Sequence, residues 1–114
     1  MGIDFSHGGA SWAYSGFRNF RNRLADAIDF SEYESIGTTD DPRYEKIRDN
    51  PLVHLLAHSD CDGEIEPQYC MAIALELRRV LSVWPDDDRD KDRGLRLADG
   101  LEAAANENVP LEFK

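Results

Sequence analysis

His58-Ser59-Asp60-Cys61-Asp62-Gly63-Glu64-Ile65-Glu66 lies between two apolar segments: Leu52, Leu55 and Leu56 before it, and Cys70, Ile73, Ala74, Leu77 and Leu81 after it. Its centre, Asp-x-Asp-Gly-x-Ile, combines spaced carboxylates, a residue free to take a left-handed turn, and an aliphatic side chain placed to return to a core. No other segment has spacing that suggests site chemistry. Read as a loop between two helices, it makes the fold class all-α, with four to five helices around a central helix-loop-helix.

The spacing resembles the calcium-binding loop of the EF-hand. In that frame Gly63 takes loop position six and Ile65 position eight, so the loop runs from His58 to Tyr69. Asp60 and Asp62 fall at the third and fifth positions, the Glu64 carbonyl at the seventh and Glu66 at the ninth. The first ligand is His58 where Asp is needed, and the last is Tyr69 where a bidentate Glu is needed. Calcium takes about six to eight hard oxygens. An imidazole and a phenol replace two of them poorly, so Asp60, Asp62, Glu64 and Glu66 make at most a weak site for calcium or another divalent metal. The competing expectation is no cofactor, with the loop carboxylates capping and turning the chain.

The 114 residues suit one helical domain, and the net charge of −10 is unevenly placed. Residues 1–30 are neutral: Asp4, Asp26 and Asp29 balance Arg18, Arg21 and Arg23. All of the excess acid lies beyond them. Nucleic-acid binding needs a basic surface that displaces counterions from phosphates, and three arginines read as the solvated face of a helix. The expectation is therefore no nucleic acid. No apolar stretch approaches a membrane span, and the first residues lack a basic and apolar leader. Cys61 and Cys70 do not make a disulfide framework.

Along the chain, residues 1–14 read as an ordered aromatic arm carrying Phe5, Trp12 and Tyr14. Ser15 caps a helix over 16–30 with Phe17, Phe20, Leu24, Ala27 and Ile28 in one stripe. Asp41-Pro42 opens a short helix to about 49, and Asn50-Pro51 opens another. Pro67 begins the clearest helix, which Pro85 ends. Residues 85–93 read as an acidic loop, followed by a helix over about 93–106. No strand-like alternation competes with these patterns.

Three blocks together are similar to a family of small actinobacterial and actinophage proteins with no assigned activity. They are Ser6-His7-Gly8 with Trp12-Ala13-Tyr14-Ser15-Gly16-Phe17, the loop at 58–65, and Leu97-Ala98-Asp99-Gly100 with the late Leu111-Glu112-Phe113. The resemblance implies a bacterial or phage-infected cytoplasm and little else; a phage origin would favour a host-directed binding role.

Other constellations carry weaker chemistry. His54, His58, Cys61 and Cys70 include zinc-ligand types, but paired Cys-x2-4-Cys spacings are absent. Cys61 beside His58 and Asp62 has the composition of a nucleophile with its base, yet neighbours in a tight loop seldom orient one another. The leading expectation is a non-enzymatic interaction protein that meets a protein partner; a metal-binding module through 58–66 comes second and a small Cys/His enzyme third. The candidate binding surface is His7, Trp12, His58 and Asp60, brought together if residues 5–14 pack beside the 58–66 loop. The oligomeric state is open.

Overall fold

Phe17, Phe20 and Leu24 recur at helical spacing and are fully buried on α1 (Tyr14–Ala27) in the computed structural model, which describes residues 2–59 and 62–114. The helix starts at Tyr14, so Ser15 lies within it and supplies no cap. It stops at Ala27 through a Schellman turn. Asp29 takes φ 59°, the Phe30 N–H donates to the Ala25 carbonyl at 2.8 Å and the Asp29 N–H to the Asp26 carbonyl at 3.2 Å. Phe30 and Ala25, which such turns bring together, are both buried.

The middle of the chain is made of tight turns. Two 3-10 segments, Ser31–Ser35 and Pro42–Ile47, precede a single helical turn, α2 (Val53–Leu56). The Asp41 carboxylate caps the second of them at the Arg43 N–H, and Asn50 Oδ1 accepts from the Leu52 N–H. Then α3 (Pro67–Leu81) buries Cys70, Ile73, Ala74, Leu77 and Leu81. It packs along α4 (Arg89–Glu107), which buries Leu97, Ala98, Leu101 and Ala104. This last helix begins at Arg89 instead of near 93, because Asp88 accepts from the Asp90 and Lys91 N–H groups. A second Schellman turn ends it, with Asn108 at φ 56°.

The all-α expectation is overturned. Strand β1 (Gly2–Asp4) pairs antiparallel with β2 (Ser11–Ala13), and β3 (Glu64–Ile65) pairs antiparallel with β4 (Leu111–Glu112). A bridge between Phe5 and Phe113 joins the amino-terminal arm to the carboxyl-terminal segment. The fold is mixed: helices cover two small two-stranded sheets. These strands are too short to show alternation, and their partners lie far apart in sequence.

The EF-hand-like helix-loop-helix is corrected with it. The incoming element is the single turn α2 rather than a full helix, and Glu64 and Ile65 form a strand against the carboxyl-terminal segment. Tyr69 sits on the surface of α3, stacked on His54.

The arm is integral to the core. Trp12 stacks on Phe20 with centroids 4.8 Å apart, and Phe5 meets Phe17 and Phe113 edge-on. Gly8, at φ 88°, lets the chain lie on α4. A Cβ there would stand 2.3 Å from the Arg96 carbonyl oxygen, and one at Gly100 would stand 2.4 Å from that of His7. Two of the sequence blocks therefore touch, backbone against backbone. The arginine expected on a solvated face also has a fixed place. Arg23 lies over the Trp84 ring at 3.9 Å and pairs with Asp88 and Asp90, while Trp12 donates to Asp90. No helix of the described residues is long and apolar enough to cross a membrane.

Candidate functional site

His58 organises the turn between α2 and β3. Its ring stacks on Phe113 with centroids 4.0 Å apart. Its Nδ1 lies 2.8 Å from the Ser59 carbonyl and its Nε2 3.1 Å from the Glu64 carbonyl. Gly63, at φ 97°, follows the ring closely: a Cβ there would lie 3.1 Å from His58 Cε1. The Phe113 N–H donates to the Gly63 carbonyl at 2.9 Å. His58 thus ties the beginning of the loop to its end and both to β4. At the ligand place of a calcium loop it acts as a latch, with its nitrogens turned to backbone carbonyls.

Beside this latch lies an open groove of about 360 Å3. Val53, Ala57 and Ile65 supply its apolar surface. His54 and Tyr69 form one wall as a stacked pair, 4.1 Å between centroids and 20° between planes. Tyr69 is 40% exposed, a large ring left partly open to solvent. Glu64 and Glu66 add two exposed carboxylates. Burial holds the His54 imidazole below its ordinary pKa, so it is neutral at pH 7. The groove therefore joins an apolar surface and an aromatic face to negative charge. That combination accepts the aliphatic stem and cationic head of a Lys or Arg side chain.

The other expected site residues are distributed differently. Asp60 and Cys61 lie outside the described residues. Asp62, Glu64 and Glu66 are exposed, and Glu66 accepts from the Gln68 amide. Among the described residues no group of three or more His, Cys, Asp or Glu side chains is placed to hold a metal ion. Cys70 is buried, its Sγ donating towards the Ile65 and Glu66 carbonyls, and burial pushes its thiol pKa up. A buried thiol with a raised pKa is a poor nucleophile. Its neighbour in the zinc grouping, His54, faces Tyr69 instead.

The amino-terminal residues separate. His7 contacts Ser6 Oγ at 2.7 Å and reaches Glu107 at 3.4 Å, near the end of α4. Trp12 is buried and belongs to the core, not to a binding surface. Its ring is covered by Phe5, Phe17 and Phe20. The arm meets the carboxyl-terminal segment, through Phe5 on Phe113 and the Ser6 N–H on the Glu112 carbonyl. The groove itself was not legible as a unit, because its walls come from α2, β3 and α3.

Comparison with protein-family models, with curated proteins and with solved structures gives no match.

Proposed function

We propose that this chain is a non-enzymatic interaction protein whose groove between α2, β3 and α3 docks a basic side chain from a protein partner. The observation that carries the reading is the half-open Tyr69 ring, stacked on neutral His54 and set beside Glu64 and Glu66. The net charge of −10 supports it by steering a basic partner towards the surface. An apolar surface between carboxylates selects a long cationic side chain over a short polar one. The resemblance to actinobacterial and phage proteins points to a host protein as that partner.

Affinity capture from an actinobacterial lysate, with wild type beside Tyr69→Ala and Glu64→Gln/Glu66→Gln, tests the proposal. Both variants should lose the captured protein while keeping a wild-type helical circular dichroism spectrum, and wild-type capture should weaken with added salt. Equal capture by all three proteins would remove the groove from consideration.

A further inference from the structure

A second cavity, of about 220 Å3, lies on the other side of His58 between α1 and the two 3-10 segments. Among the described residues its lining contains no Asp or Glu; Asp60, next to the lining residue Ser59, lies outside them. The lining does contain two arginines of α1, Arg18 and Arg21. Arg18 is exposed, whereas Arg21 is only 5% exposed.

Arg21 is the feature that needs an explanation. A buried guanidinium is costly unless its donors are matched. Nη1 donates to the Leu55 carbonyl at 3.3 Å and to the His58 carbonyl at 2.7 Å. Those bonds staple α1 to the end of α2, a structural role that accounts for one corner of the group. The Nε–H is buried with no hydrogen-bond partner. Among the described residues no carboxylate pairs with Arg21. The edge formed by Nε and Nη2 is one that grips a carboxylate or phosphate with two parallel bonds.

We propose that this cavity binds a small molecule through its carboxylate or phosphate group, with the Nε edge of Arg21 as the principal contact and Arg18 at the mouth. Thr38 and Thr39, on the turn between the 3-10 segments, line the same space and offer hydroxyl donors to the remaining oxygens. The volume lies below the ~300–1,000 Å3 of drug-sized sites, so the ligand is little larger than its anionic head. This site is independent of the groove proposed for a protein partner.

The Nε–H of a buried arginine gives its own cross-peak in a proton–nitrogen correlation spectrum, and that peak is the readout. Inorganic phosphate and acetate are titrated separately into the full chain, with chloride holding the ionic strength constant. At least one should move the Arg21 Nε–H and the Thr38 and Thr39 amides along one saturable curve, and the stronger of the two names the head group. Arg18→Gln should weaken binding roughly two- to fivefold, the range of a partly solvated charge. Arg21→Lys, which keeps the charge but loses the fork, should weaken it about tenfold or more. Should the Arg21 variant fail to fold, the Nε–H curve and Arg18→Gln decide alone. Glu64→Gln/Glu66→Gln should leave the titration unchanged, which separates this site from the groove. Linear shifts equal to those in chloride, or saturation unchanged by Arg18→Gln, would overturn the proposal.

Discussion

Gly100→Ala should destabilise the protein, although alanine is the better helix former. In an exposed helix interior the change gains about 1 kcal/mol. Here the new Cβ would lie 2.4 Å from the His7 carbonyl oxygen, 2.7 Å from its carbon and 3.1 Å from the Gly8 nitrogen. A relaxed carbon–oxygen contact needs about 3.3 Å, so the arm must retreat by roughly 1 Å. Every atom in the way is backbone, and no rotamer change relieves it. Gly8 cannot yield towards the helix either, since it already rests against Arg96 and Gly100. Overpacking of this kind costs about 1–3 kcal/mol, with a rigid contact at the upper end. Against the propensity gain, the net loss is about 2 kcal/mol, or about 8 °C in Tm for a domain of this size. Thermal unfolding followed by far-ultraviolet circular dichroism measures it. Gly37→Ala is the control, because nothing lies within 4 Å of its Cβ; it should melt at or slightly above wild type. A Gly100→Ala protein as stable as wild type would show that the arm does not rest on α4.

Three further outcomes follow from particular contacts. Asp88→Ala should cost about 1–2 kcal/mol by uncapping α4. The Arg23 guanidinium holds the Asp88 carboxyl down at about 2, so its contribution is complete above ordinary carboxylate pKa values. It is lost as the pH falls through about 2; the urea-midpoint gap between variant and wild type should close from pH 5 to pH 2, and a gap that widens would contradict the pairing. Asp29→Gly should stabilise by about 1 kcal/mol, since it relieves a left-handed residue and removes an acid from a helix carboxyl terminus; a lower melting temperature would refute the Schellman turn. In a Cys61→Ser background, Cys70 should react with a thiol reagent more than about a hundredfold slower in the native protein than in urea, and rapid native labelling would place the thiol at the surface.

The helices were legible because their order is local. Each helical hydrogen bond spans one turn, so Phe17, Phe20 and Leu24, or Ile73, Ala74, Leu77 and Leu81, reveal a buried face within one short window. Pro67 at a helix start and Asp41 before Pro42 act within two residues, and both occur where expected. Helix ends were less legible: Asp29 and Asn108 stop their helices from positions that carry no glycine.

The sheets had no local signature. Phe5 and Phe113 meet across nearly the whole chain, and strands of two or three residues are too short to alternate. Arg21 shows the same division within one side chain. It stands between Phe17 and Leu24 in the buried stripe of α1, but its charge assigned it to solvent. The Leu55 and His58 carbonyls turned towards Nη1, with the Phe17 ring 4.7 Å from the guanidinium carbon, make its burial tolerable. His58, His54 and Tyr69 were visible as residues, yet the latch and the groove required α2, β3, α3 and the carboxyl-terminal segment to meet. The sequence by itself determined which faces of the helices are apolar. Tertiary structure decided which polar groups those faces enclose, because enclosure depends on residues that are distant along the chain.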